Sequence, residues 1–541
     1  MYIEKIIIEN FKGYKGRFSL DLWNGPNIIV GNNEAGKSTI LEAIHLGLSG
    51  FLNGRYLKNE LSQYLFNRDY EEEYIKSLKS KNPSPPPHIL IELYLNADEL
   101  QELRGNGNSQ KSDSIGVSFS IEFDEEYRSE YSNLVDSGEI LSIPIEYYKV
   151  TWKSFARGTV SARSIPLKSI LIDSSNSRLS YGSDILVSRI VKGNLEDADR
   201  VAISQAHRQM KEKFMEDPSV IDINSKLNSE ANVSGKKIQI SVDLSTQNAW
   251  ETSLITYLDN IPFQYIGKGE QCVIKTKLAL SQKKSREANV VLLEEPENHL
   301  SHANLSKLIN EIISNVEGKQ LIISTHSSYV ANKLGLDNLI LMKGLKHLRI
   351  ADLEEDTSEF FKKLPGYDTL RLLLCDKAIL VEGPSDELVV QKAYMKDNDG
   401  NLPIDHGIDV ISVGTSFLRF LEISKKVGQK VAVVTDNDGD LNQIKKKYER
   451  YLGENKVNDI SICFDSEVDG GKIDNFNYNT LEPKLLKCNT LKKLNEIFQT
   501  SFTNDEGILL YMRSNKTDCA LSIFNFEGQI DFPKYIAEAI S

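Results

Sequence analysis

Two rhythms of apolar and polar positions divide this chain. Near its start the period is two: Ile3, Lys5 and Ile7 alternate with their neighbours, and Phe18-Ser19-Leu20-Asp21-Leu22 alternates again. Asn10-Phe11-Lys12-Gly13-Tyr14 supplies a turn between them, so residues 1–30 read as a β-meander. The alternation then gives way to an unbroken run, Asn27-Ile28-Ile29-Val30. After a glycine-rich stretch, Thr39-Ile40-Leu41-Glu42-Ala43-Ile44 has helical spacing. Strand patterns return at 88–95 and 117–123. Pro83-Ser84-Pro85-Pro86-Pro87, ahead of the first, excludes helix and central strand. Residues of about 165–250 carry the weakest pattern, with helical stretches at 188–191 and 201–215 and a strand at 237–242. This region is expected to be a helical insertion and a dimerisation element.

Most of the remaining buried runs share one property: they end in charge. Ala288-Asn289-Val290-Val291-Leu292-Leu293 runs into Glu294-Glu295, and Gln320-Leu321-Ile322-Ile323-Ser324-Thr325 into His326. Between Thr39 and these runs, Gly267-Lys268-Gly269-Glu270-Gln271 opens a helix at 272–280. Beyond residue 370 the pattern repeats as β-α-β-α-β. Ile379-Leu380-Val381 ends in Glu382-Gly383-Pro384-Ser385-Asp386, 408–414 is a second strand, and Val431-Ala432-Val433-Val434 ends in Asp436-Asn437-Asp438. That alternation predicts a parallel sheet with its carboxylates at the strand C-terminal ends, where open α/β sheets place their sites. The fold class is α/β, in two domains: 1–350 and 371–541.

The glycine-rich stretch decides the chemistry of the first domain. Gly31-Asn32-Asn33-Glu34-Ala35-Gly36-Lys37-Ser38 fits the phosphate-binding P-loop, between a strand and a helix as that loop requires. Backbone N–H groups and the helix N-terminus receive phosphate oxygens, with Gly31, Asn32, Asn33, Gly36 and Thr39 lining the turn. Lys37 reaches the β/γ-phosphates and Ser38 ligates Mg²⁺. Of the strand-end acids, Glu294 is the Mg²⁺-directed carboxylate and Glu295 the water-orienting one, and His326 can reach the γ-phosphate. The expected ligand is ATP with Mg²⁺.

Composition narrows the rest. The 77 acids outnumber the 64 Lys and Arg, for a net charge of −13. Any DNA contact must therefore come from local clusters such as Lys445-Lys446-Lys447. No run approaches the roughly 18 apolar residues that span a membrane. Five scattered cysteines without CxxC pairs argue against a disulfide framework or structural zinc and fit a reducing cytoplasm. In the second domain, Glu382, Asp386, Asp436 and Asp438 can converge on hard cations such as Mg²⁺ or Mn²⁺.

The short meander, P-loop and Ile-x-x-Phe-Lys-Gly-Tyr element together resemble the ATPase heads of the SMC/RecF branch of ABC-type proteins. Gly267–Gln271 resembles a divergent ABC signature, departing from Leu-Ser-Gly-Gly-Gln, and Glu294 stands where Asp is usual. That resemblance implies a head-to-head dimer, with Gly269 and Gln271 of one subunit completing the nucleotide site of the other. The Glu-Gly turn plus Asp-x-Asp pair resembles the Toprim fold. With Asn479-Thr480-Leu481-Glu482 and Ser514-Asn515-Lys516-Thr517-Asp518-Cys519-Ala520-Leu521 added, nearly the whole chain resembles the OLD (overcoming lysogenization defect) nucleases, a family that includes anti-phage effectors. The resemblance implies an ATP-regulated DNA endonuclease in which Glu382, Asp386, Asp436, Asp438 and Glu482 hold two divalent metals and Lys516 steadies the pentacovalent phosphate. It further implies a homodimer or tetramer built through the ATPase domain, and an accessory protein or RNA. The rival readings are an SMC/RecF-like repair ATPase with a vestigial Toprim site and a Toprim RNA nuclease. The chain has no long heptad arms, which speaks against an SMC.

Overall fold

The computed structural model describes residues 1–541 apart from 33, 53–54, 60, 81, 139, 174–178, 181–182, 185–194, 231–239, 242–256, 282–286 and 364–366. Three large sheets carry the molecule. The first is antiparallel, ordered Arg17–Asp21, Tyr2–Glu9, Ile89–Asn96, Ser114–Phe123, Arg104–Gly105, with Tyr148–Ser154 also paired to Ser114–Phe123. Its alternation is shifted by a register irregularity between Ile3 and Lys5: Ile3, Ile6 and Ile8 enter one core, while Ile7, expected on the face of Ile3, meets Tyr94 and Phe155 on the other.

The expected meander divides. Its first two strands pair antiparallel, but Pro26–Gly31 crosses into a second, mostly parallel sheet. Burial explains the divergence. Ile28, Ile29 and Val30 are all fully buried, as in a strand covered on both faces. This sheet runs Ser169–Asp173, Val290–Glu294, Gln320–Thr325, Pro26–Gly31, Leu339–Lys343, Lys346–Arg349, and only the last pair is antiparallel.

The insertion begins later than expected. Ser169–Asp173 is the edge strand of this sheet, in register with Val290–Glu294, so the core continues to Asp173. Helices Asp197–Met215 and Pro218–Glu230 follow. The helix expected at 188–191 lies outside the described residues, as does most of the strand expected at 237–242.

The third sheet is fully parallel, ordered Ile408–Ser412, Lys377–Val381, Lys430–Val434, Ile460–Cys463. The fourth strand adds to the three expected. Five helices from Leu481–Cys488 to Lys534–Ile540 close one face, burying Leu494, Met512 and Ile536.

The second and third sheets share one core. A single cluster runs from Ile28, Leu339 and Leu341 through Phe361, Leu372 and Leu373 to Phe420, Val431 and Val433. Polar contacts follow the same seam. Met342 is in register with Gly31 of the P-loop strand, and the next residue, Lys343, bonds through Nζ to the Gln429 side-chain oxygen. Gln429 is fully buried and donates to the Cys375 carbonyl at 3.0 Å. Strand Lys430–Val434 begins directly after Gln429, and Lys377–Val381 begins two residues after Cys375.

Candidate functional site

The P-loop site is assembled by hydrogen bonds. Gly36 sits at φ +82°, where a Cβ would lie 2.6 Å from the Tyr14 hydroxyl oxygen, so this position excludes a side chain. Lys37 is buried, donates to the Gly31 and Asn32 carbonyls at 2.9 Å each, and lies 3.0 Å from His326 Nε2. Burial lowers its pKa, against the pull of Glu295, Glu297 and Glu294. Thr39 is half-buried in the first helical turn, and Asn33 lies outside the described residues.

Glu294 and Glu295 part company at the end of their strand. Glu294 accepts a hydrogen bond from Ser38, while burial, assisted by Asp173, Glu42 and Glu295, pushes its carboxyl up to about 7. Glu295 turns back at φ +40° and its Oε1 stands 3.1 Å from His326 Nε2. Its Oε2 accepts from Asn298 at 3.0 Å. His326 Nε2 therefore has a choice: it accepts from Lys37 or, carrying a proton, donates to Glu295. His326 thus stands within bonding distance of both other groups expected to act on the γ-phosphate, Lys37 and Glu295.

Glu297 is the residue the motif reading missed. One of its oxygens accepts from Thr325 Oγ1 at 2.6 Å, His326 N at 2.8 Å and Ser327 N at 3.2 Å. It ties the loop after the acid strand to the tip of the histidine strand. The string Glu294-Glu295-Pro296-Glu297-Asn298 contained it, but nothing in the spacing separated it from its neighbours.

The signature-like segment differs from expectation in one respect. Gln271 does not face outward: it is buried, and its amide donates to the Phe263, Gln264 and Ile266 carbonyls at 3.0, 3.4 and 2.7 Å. Its donors are consumed in bracing its own helix start. Gly269 has a local reason too, since a Cβ there would lie 2.4 Å from the His299 carbonyl oxygen.

The second site lies at the C-terminal ends of the third sheet. Glu382 ends Lys377–Val381, and Asp386, one turn on, accepts the Gly383 N–H at 2.8 Å. Asp436 follows Lys430–Val434. Glu382, Asp386 and Asp436 line one small cavity with Thr435, Leu481 and Tyr535, and its free volume of about 10 Å³ is room for one water-sized species. Asp438 is exposed at φ +47° and accepts from Asn477 at 2.8 Å. Glu482 is buried and paired to Lys516 at 2.9 Å, with Thr480 donating to its other oxygen at 3.0 Å.

These acids repel one another. Burial, then Glu382 and Glu482, pushes the Asp386 carboxyl up to about 6 against the Gly383 hydrogen bond. Asp436 is raised well above the usual range by burial and by Asp386, Glu482, Glu382 and Asp438. Burial lowers the Lys516 pKa, but its bond to Glu482 and the charges of Asp436 and Asp386 carry the balance upward. Among the described residues, no three His, Cys, Asp or Glu are gathered closely enough to form a finished coordination shell. Three of the five acids are engaged elsewhere, Asp386 at its helix cap, Glu482 at Lys516 and Asp438 at Asn477. An excess of buried carboxylate around an ion-sized space is nevertheless the donor chemistry that hard divalent cations take. Tyr535 was not foreseen; it reaches the cavity from the last helix, Lys534–Ile540, and no motif marks it.

Comparison with known proteins places both halves. The AAA ATPase domain family model matches residues 1–331. The chain belongs to that family. A second model, the TOPRIM domain of overcoming lysogenization defect-like proteins, matches 373–438. The protein is thus an OLD-type ATPase–Toprim chain. It is 22% identical to Endonuclease GajA of Bacillus cereus (strain HuB5-5) over 606 aligned positions, covering 95% of this chain and 85% of that one. It is 27% identical over 126 residues to the DNA replication and repair protein RecF of Caldanaerobacter subterraneus subsp. tengcongensis, of which it spans 33%. The SMC head domain from Thermotoga maritima aligns with 64% of the chain at 13% identity and a TM-score of 0.29.

Proposed function

We propose that this ATPase–Toprim protein is a divalent-metal-dependent DNA endonuclease whose cleavage is gated by ATP. The observation that carries this reading is the meeting of Glu382, Asp386 and Asp436 on one ion-sized cavity, with the Glu482–Lys516 pair in electrostatic contact with them. In this reading Glu382, Asp386, Asp436, Asp438 and Glu482 hold two ions, Mg²⁺ or Mn²⁺. Bound there, the ions lower the pKa of an attacking water and neutralise charge on the leaving oxygen. Lys516 does the chain's own share. Its ammonium, held by Glu482, is a preset cation for charge that develops on the phosphoryl oxygens. Tyr535 and Leu481 keep bulk water from the inner side of the acids.

At the other site, Ser38 and Glu294 hold the Mg²⁺ of ATP, Lys37 moves from the Gly31 and Asn32 carbonyls to the phosphates, and Glu295 orients water. Lys37 withdrawing from His326 frees Nε2 for Glu295 or the γ-phosphate. Exposed Gly267, Lys268 and Glu270 leave the start of helix Lys268–Ser281 open to a second subunit, in keeping with dimerisation through the ATPase domain. The motif order shared with OLD nucleases makes anti-phage defence the proposed role. Among the described residues no helix is long and apolar enough to cross a membrane.

Purified protein incubated with Mg²⁺ or Mn²⁺ and with plasmid, RNA and ATP in separate reactions tests the reading. Plasmid nicking that disappears in Glu382→Ala supports it. Degradation of RNA alone, or of ATP alone without strand breaks, defeats it.

A further inference from the structure

Beyond the five acids and half-exposed Lys516, the Toprim half contains a buried cation. Lys484 has only 2% of its side chain exposed. Its Nζ is satisfied by Asp465 Oδ2 at 2.7 Å, Asp469 Oδ2 at 2.7 Å and the Glu467 carbonyl at 3.0 Å. All three acceptors lie on the loop after strand Ile460–Cys463, and Lys484 itself lies in the first turn of Leu481–Cys488, two residues after Glu482.

The same loop is gripped by the Asp-x-Asp turn, which meets Lys484 at the Glu467 carbonyl. Asn437, buried between Asp436 and Asp438, donates to the Asp465 and Glu467 carbonyls at 2.7 and 2.9 Å and accepts the Gly439 N–H at 3.0 Å. Asn479 closes the loop on itself, receiving Asp469 N at 2.7 Å and donating to the Asp469 carbonyl at 3.0 Å. Asn477, on the same loop, holds Asp438. Two acid-bearing elements that never touch in sequence are therefore clamped to one intermediate.

We propose that Lys484 is the positioning residue that sets Glu482 in register with Asp436 and Asp438, acting through the 465–479 loop and Asn437. The inference rests on the metal-dependent nuclease reading of this site. Lys487 also pairs with Asp469, at 2.8 Å, and with Glu467 Oε2 at 2.7 Å, but from a half-exposed position. Removing the Lys484 ammonium therefore strips Asp465 of its cation, leaves Asp469 to Lys487 alone and frees the Glu467 carbonyl on the inner side, which loosens the loop and the grip of Asn437 and Asn477. Groups that orient metal ligands typically matter by 10- to 100-fold in metal affinity or activity. Charge and position here predict opposite signs. Loss of a positive charge beside the acids tightens cation binding; loss of register weakens it.

The test uses full-length, nucleotide-free protein: wild type, Lys484→Met, Lys484→Arg and Asn437→Ala. Mn²⁺ affinity is read by calorimetry, the Mn²⁺ needed for half-maximal plasmid nicking by gel, and folding by thermal melting. Expected are about 10- to 100-fold weaker Mn²⁺ binding in Lys484→Met and a similar loss in neutral-for-neutral Asn437→Ala, with partial recovery in Lys484→Arg. The nicking curves shift in parallel. If Lys484→Met does not fold, Asn437→Ala decides by the same readout. Unchanged or tighter Mn²⁺ affinity in a folded variant overturns the proposal, even if its melting temperature falls. A wild type that binds Mn²⁺ but cuts nothing defeats the nuclease reading, and the calorimetric difference still judges Lys484.

Discussion

The two acidic sites of this chain solve opposite problems. At the P-loop, Glu295 and Glu297 are held by His326, Asn298 and backbone N–H groups, so the site is assembled by its own hydrogen bonds. At the Toprim cavity, the acids crowd one another: burial and neighbouring carboxylates push the pKa values of Asp386 and Asp436 upward, and the charge of Lys516 only partly opposes the rise at Asp386. The first arrangement is braced as built, apart from Glu294, whose carboxyl is pushed up to about 7 by burial and neighbouring acids. The second stores repulsion that a cation relieves, which makes occupancy and stability the same question.

That contrast can be broken by substitution. The largest expected effect is on cleavage. Glu382→Ala should lower plasmid nicking by roughly 10²–10³ while the melting temperature holds or rises; Lys516→Ala should lower nicking as much but also lower the melting temperature, because it leaves buried Glu482 unpaired among the other acids. Wild-type cleavage in either folded variant defeats the assignment. Next, Glu297→Ala should destabilise the ATPase half by about 1–3 kcal/mol, because His326 N and Thr325 Oγ1 lose their acceptor, Ser327 N keeping only Thr325 Oγ1. Urea unfolding measures it, and a neutral result means the brace is dispensable. Asp436→Asn should do the reverse, raising melting temperature by a few degrees in EDTA while abolishing cleavage.

Smaller still is the pH effect. Asp386 is raised from 3.8 to about 6 and Glu294 from 4.5 to about 7, so the folded chain binds more protons than the unfolded one between those limits. Stability in EDTA should therefore be greatest below about pH 4 as far as these groups are concerned and decline as pH climbs toward 7. Melting curves at pH 5 and pH 8 should differ in that direction, and added Mg²⁺ should narrow the gap. Lys37→Ala sharpens the comparison from the other side, since calorimetric ATP binding should vanish with the Toprim cavity unaltered.

Much of this was visible in the chain before folding. Runs such as 290–293 and 431–434 can be nothing but buried strands, and their charged ends had to emerge at one edge of a sheet. What escaped was whatever depended on contacts distant in sequence. Ser169–Asp173 became an edge strand by pairing with residues more than a hundred positions away. Gln271 was placed by the turn it braces, not by the signature it resembles. Lys484 looked like any helical lysine because its three acceptors come from a loop with no pattern of its own. Local spacing records which atoms a strand end presents; it does not record what they lean on.

The core shared by the second and third sheets sets a limit on how this protein can be taken apart. Leu372, Leu373, Phe420 and Leu421 are buried in one cluster with Ile28, Leu339 and Leu341, so a fragment starting at residue 371 would carry an apolar scar where its neighbour had been. The Toprim half is not a portable cartridge. Any graft of this cleavage site onto another chain must bring the P-loop sheet with it, or redesign the face that the sheet covers.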